Sequence, residues 1–179
     1  MKLTTRLLTL GLLVLALGAC SSGDLSETDG GGVALSMSIP VFPQQLSVTA
    51  GVPTLETIVI QSIVKDPSGA SSALMNVELE SLEFVYTRED TGTRLPPRLV
   101  VTRPGVIPVN GNLTITGQAY MLNEQLIAQP LKDLADFGRD TETNSVVVRM
   151  RVTIRAFGRT LAGEPVATTP TSISLEVVQ

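Results

Sequence analysis

Val146, Val148, Met150, Val152, Ile154 and Ala156 alternate with Val147, Arg149, Arg151, Thr153, Arg155 and Phe157. One set is wholly apolar and the other largely polar. A period of two sustained this long predicts a half-buried strand over 144–157. A turn region at 158–165 follows, and then a strand over about 166–178, so the chain is expected to end in a long hairpin. The same pattern predicts strands at 33–39, 45–50, 57–65, 74–88, 98–102 and 112–121. Within 74–88 the phase slips. Val77 and Leu79 share one parity, while Leu82, Phe84 and Tyr86 have the other. A β-bulge near Ser81 keeps both sets facing a core. Asp66-Pro-Ser-Gly69 and Asn110-Gly111 read as turns, because Gly and Asn tolerate positive φ. One short helix is predicted at 130–137, with Pro130 in its first position and Gly138 just past its end. Leu131, Leu134 and Phe137 give that helix one apolar stripe.

Strands every 10–20 residues, divided by Gly/Pro turns, predict an all-β fold. The expected form is a two-sheet antiparallel β-sandwich over 33–179. This plan resembles immunoglobulin and fibronectin type III domains, without the disulfide or the Trp of antibody domains; the chain holds one Cys and no Trp.

Residues 1–19 read differently. Lys2 and Arg6 precede an apolar run over 7–19, too short for the roughly 20 residues of a membrane-spanning helix. A positive start, a short apolar core and small residues at its end mark an export signal. Leu17-Gly18-Ala19-Cys20 resembles the lipobox of bacterial lipoproteins. The resemblance implies cleavage between Ala19 and Cys20, a diacylglyceryl thioether on Cys20, and an acyl chain such as palmitate on the new amine. More than one buried chain is what stable anchoring needs. Ser21 resembles the outer-membrane rather than the inner-membrane class. Residues 20–32 then form a lipidated cysteine and tether, SSGDLSETDGGG after Cys20. Chains of this composition have an r.m.s. reach of about 20 Å. The chain as a whole resembles small lipoproteins that carry such a sandwich, and the resemblance brings no activity with it.

Charge and chemistry narrow the function. Loss of Lys2 and Arg6 with the signal lowers the net charge from −4 to −6, which disfavours nucleic acid as a partner. The chain has no His, and Cys20 is consumed by lipid in this reading. Ser–His–Asp and Cys–His catalysis and His/Cys zinc sites are therefore excluded for one chain. No P-loop or GxGxxG motif is present. Glu78, Glu80 and Glu83 share a strand, where solvation is favoured over a glycosidase pair. Asp133, Asp136, Asp140 and Glu142 lack the spacing of a calcium loop. Arg149, Arg151 and Arg155 form a row suited to cross-strand pairing with glutamates or, as the alternative, to an anionic partner. Arg94, Arg98 and Arg103 mark the Pro/Gly-rich stretch 88–112 as a second candidate contact surface. The expectation is a non-enzymatic, lipid-anchored interaction or structural module of the cell envelope with a protein partner and no cofactor or metal. The alternative is an accessory lipoprotein that binds a small ligand or glycan.

Overall fold

The computed structural model describes residues 32–179. The export signal, the cleavage site at Ala19 and Cys20, and the tether up to residue 31 lie outside the described residues. The strands are β1 (Val33–Ser38), β2 (Gln45–Ser47), β3 (Thr54–Val64), β4 (Val77–Arg88), β5 (Leu99–Ile107), β6 (Asn112–Ala119), β7 (Val148–Thr160), β8 (Pro165–Ala167) and β9 (Thr171–Val178). They form two packed sheets, so the chain is an all-β sandwich. The small sheet has the order β1-β3-β6, and the large one β2-β9-β7-β4-β5, with β8 also on β7. All of these pairings are antiparallel except β2 on β9.

In immunoglobulin lettering the orders are A-B-E and A′-G-F-C-C′. The strand after C stays beside C instead of crossing to join E. Alternation explains which side chains meet between the sheets. Val148, Met150, Val152, Ile154 and Ala156 of β7 are fully buried, as are Leu82 and Phe84 of β4 and Ile58 and Ile60 of β3. The phase slip in β4 is real: its register shifts between Leu79 and Ser81 against both β5 and β7. Gly158 fits this irregularity, because a Cβ there would lie 2.4 Å from the Glu78 carbonyl oxygen.

Several boundaries move for local reasons. The expected strand at 166–178 is broken into β8 and β9. Thr168 is fully buried; its N–H donates to Ala156 O at 2.9 Å and its Oγ1 accepts from Ala156 N at 3.0 Å. A side chain thus replaces a ladder rung, and Pro170 has no N–H to continue one. β7 begins at Val148 rather than 144. Asn144 has φ 59°, and Ser145 Oγ accepts from Val147 N at 3.1 Å, curling the chain into a loop. Val146, placed on the inward face by parity, is 65% exposed. Residues 73–75 form a 3-10 turn capped by Ser72 Oγ rather than the start of β4. β5 runs on through Pro104 to Ile107, tolerable because it is an edge strand with β4 as its ladder partner.

Two short helices, α1 (Asn123–Leu126) and α2 (Leu131–Phe137), fill the β6–β7 connection; the expected single helix is α2. Pro130 is its N-cap rather than its first residue, and Gly138 ends it with φ 69°. Leu131 and Leu134 are buried, but Phe137 is exposed. Spacings of three drift about 60° per step on a helix, so the third member rotates off the face.

Candidate functional site

β1 stops opposite Val59, partway along β3. The chain then leaves the small sheet and crosses to the large one as Ile39-Pro-Val-Phe-Pro-Gln44. Both ends of this crossing are pinned. Thr171 Oγ1 donates to Met37 O at 3.2 Å, and Glu176 N donates to Gln44 O at 2.8 Å. Pro40 and Pro43 offer no N–H and hold the backbone extended. The span carries Val41 and Phe42 outward, 58% and 37% exposed. The result is a fixed apolar ridge.

A groove lies on each side of it. The larger, about 730 Å³, runs between Phe42, Gln44 and Gln45 and the outward side chains Arg149, Ser172, Ser174 and Glu176, with Glu89 also in its wall. The smaller, about 300 Å³, is lined by Val41, Phe42, Pro43, Thr54 and Glu56. Phe42 serves both. Reading by strand period missed this feature, because residues 40–44 fall between two predicted strands. The usable signal was an apolar run bounded by prolines, which can neither join a sheet nor reach the core.

The candidate arginines are dispersed rather than gathered. Arg149 Nε donates to Glu176 at 3.2 Å across its own register pair. Arg151 Nε donates to Glu89 at 2.8 Å, and Arg159 Nε to Glu80 at 3.1 Å. Arg98, on the far side of the sheet, reaches Glu83 at 3.1 Å. Arg155 lies 5.3 Å from the centre of the Phe157 ring, a cation–π contact. Arg103 stands exposed on β5. Most of the row is thus a ladder of exposed ion pairs, each worth about 0–1 kcal/mol. Only Arg149 also borders the larger groove.

Arg94 belongs elsewhere. The acidic residues after α2 and the Arg-rich loop after β4 are partners of each other. Arg88, with its side chain 3% exposed, donates from Nε to Asp90 at 2.6 Å and from Nη2 to the buried Asp140 at 2.9 Å. Glu142 accepts from Thr93 N and Arg94 N at 2.9 and 3.1 Å. Arg94 Nη1 reaches Thr141 Oγ1 at 3.1 Å and Asp133 at 3.4 Å, and Thr141 also donates to Asp133. Gly92 packs against the guanidinium; a Cβ there would fall 2.3 Å from Arg88 Nη2. Burial works to raise the Asp90 and Asp140 carboxyls, but hydrogen bonds from Arg88 and from backbone N–H groups outweigh it and hold both below the usual range. Glu142 is lowered chiefly by the Thr93 hydroxyl and backbone.

Every carboxylate in this knot is therefore spent on hydrogen bonds that shape loops. Among the described residues, no group of three or more His, Cys, Asp or Glu side chains converges as a metal site. Glu78 and Glu80 are exposed on the sheet face, and Glu83 is half-buried against Arg98. What the geometry offers is surface recognition: one ring, two grooves and a fringe of amide, hydroxyl and charged groups. Compared with known protein families and with curated proteins, the chain matches none of them.

Proposed function

We propose that the chain is a non-enzymatic, lipid-anchored interaction module of the bacterial cell envelope, held through Cys20 and presenting its ridge to an envelope protein. The observation that carries the reading is the Val41–Pro43 ridge, an exposed apolar strip pinned at both ends between two grooves. Pre-organised apolar anchors bind with little ordering entropy, and aromatic anchors dominate contact energetics. The lipobox-like Cys20 and the Ser21 that follows support placement on a membrane, with the outer one favoured. A net charge of −6 after signal removal speaks against nucleic acid as the partner.

A photo-reactive residue at Val41 in intact cells is expected to yield a discrete cross-linked protein, and one at the more exposed Ile127 is expected to yield none. Equal or absent adducts at the two positions would overturn the contact surface. Cys20→Ser is expected to abolish both trimming and retention in the lipid fraction.

The groove of about 730 Å³ favours a second reading, in which the module holds a small ligand or glycan. Its size falls within the range of ligand sites. Phe42 would back the ligand, while Gln44, Gln45, Ser172 and Ser174 would supply hydrogen bonds. Calorimetric titration with envelope glycan fragments separates the readings, since only this one predicts heat that Phe42→Ala removes.

A further inference from the structure

We infer that the end of the sandwich where the tether leaves is a lipid-docking surface, with Leu74 and Leu161 as its contact points. This deepens the proposed function and rests on its anchoring through Cys20.

Gly32 closes the tether, and its carbonyl accepts from Lys65 N at 2.9 Å. A Cβ on Gly32 would lie 3.2 Å from Met75 Cε, so the exit point is beside the 3-10 turn. That turn is joined to the β7–β8 turn by two backbone bonds, Leu161 N to Asn76 O at 2.9 Å and Ala162 N to Leu74 O at 3.1 Å. Leu74 and Leu161 are thereby set next to each other, 58% and 49% exposed. Neither packs into the core, and each sits on a hydrogen-bonded turn that cannot easily turn it inward.

Exposed apolar side chains alone do not decide the matter. The opposite end also has them, in Ile127 and Phe137. Charge and distance decide. The segments 65–76, 108–111 and 161–164 contain only Lys65, Asp66 and Glu164 as ionisable groups. Glu78, Glu80 and Arg159 follow along the sheet face, where Arg159 pairs with Glu80. Around Ile127 and Phe137, by contrast, stand the exposed Glu124, Lys132, Asp136, Arg139 and Glu142, which resist transfer toward lipid. The long strand β7 spans 13 residues, or about 43 Å at 3.3 Å per residue. Residues 21–32 reach about 40 Å only when fully extended, so that far end comes to the surface only at the limit of the chain's length. Two leucines bind a bilayer weakly on their own. The tether raises their effective concentration at the surface to the order of mM, so docking is reversible and depends on the anchor. The occupant is the headgroup–acyl boundary of the same membrane.

The chain has Cys20 as its one cysteine, so a second cysteine is a unique handle once Cys20 carries lipid. Full-length protein made in bacterial cells, bearing L74C, L161C, I127C or F137C, is labelled with a polarity-sensitive fluorophore. Each is reconstituted into phosphatidylethanolamine/phosphatidylglycerol vesicles holding an acyl-chain nitroxide. Quenching at 74 and 161 with none at 127 and 137 is the expected result. Equal quenching, the reverse pattern or none overturns the docking surface. Adding Leu74→Asp to L161C is expected to remove its quenching while the protein stays with the vesicles and keeps its circular dichroism; quenching that persists overturns the assignment. The parent chain with Cys20 alone reports separately on the anchor. Refusal of label supports it, whereas label uptake shows a free thiol and overturns the anchoring and, with it, this inference.

Discussion

At the end far from the tether, the connections 89–98 and 120–147 are held by charge: the buried Arg88 between Asp90 and Asp140, and the exposed Glu142 on the backbone of Thr93 and Arg94. At the tether end, 65–76, 108–111 and 161–164 are held by backbone bonds in short turns and by neutral side chains, Asn76 Oδ1 accepting from Val109 N and Asn110 Oδ1 from Val64 N. Gly69 N donates to Asp66 O at 3.1 Å, Gly111 N to Pro108 O at 2.9 Å and Gly163 N to Thr160 O at 2.8 Å. Length alone does not set the difference, since 65–76 is no shorter than 89–98. The tether-end segments divide into tight turns that satisfy their own polar groups, while 89–98 and 120–147 carry backbone that side chains from other segments must meet. A charge-built end is therefore sensitive to single charges and to pH. A backbone-built end is sensitive to whether a Cβ fits.

The largest effect is expected from Arg88→Met. It leaves Asp140, whose side chain is fully buried, without its cation. Breaking such a pair costs about 3–5 kcal/mol. At about 2–4 °C per kcal/mol for a domain of this size, the melting temperature falls by roughly 6–20 °C. Hydrogen exchange should rise first at 89–98 and 139–147, with 108–111 and 161–164 unchanged. A uniform rise would mean that the two ends are not independently built.

Gly158→Ala probes the other construction. The new methyl meets the backbone at Glu78 and not a mobile side chain, so the bulge of β4 must shift. Overpacking of this kind costs about 1–3 kcal/mol. The loss is measurable by urea unfolding and should be independent of salt. A neutral result would show that β4 and β7 can separate at the bulge without penalty.

Acid sharpens the contrast next. Asp90 and Asp140 have folded-state pKa values below their unfolded ones. Their contribution is therefore complete above about pH 4, the unfolded aspartate value, and is lost as pH falls through the lowered folded values. Loop 89–98 is expected to open in that window while the turns at 108–111 and 161–164 stay protected. At the tether end Asp66 is also lowered, first by the Ser68 hydroxyl, but it is exposed within its own turn and its protonation should act only there. Amide exchange as a function of pH checks the order. Simultaneous opening of both ends would contradict it.

Much of this plan was legible along the chain. The alternation in β7, the slip in β4 and the Asn110-Gly111 turn each depend on a few neighbouring residues, so local pattern carries them. The knot was not legible in the same way. Asp133, Asp140 and Glu142 read as one acidic group and Arg94 as part of a basic loop, because nothing in spacing reveals that segments some 40–50 positions apart face each other. The break at Thr168 was hidden for the opposite reason: its side chain imitates a backbone rung, and residues on either side keep strand-like composition. The ridge at Val41 and Phe42 is the instructive miss. Residues 40–44 fell between two expected strands and so received no reading, yet prolines on both sides deny this pair a place in either sheet.

The smallest effect belongs to Arg149→Ala. Its partner Glu176 is half exposed and Arg149 itself is 65% exposed, so the pair should contribute about 0–1 kcal/mol. Thermal unfolding should barely move, and raising salt should erase what change there is. That near-silence makes the variant useful. Arg149 lines the larger groove, so a change in ligand heat or in cross-linking at Val41 could not be blamed on unfolding. A loss of several kcal/mol would instead place Arg149 in the fold's support, and the outer face of β7 would have to be understood as structure, like the knot around Arg88, instead of as open surface.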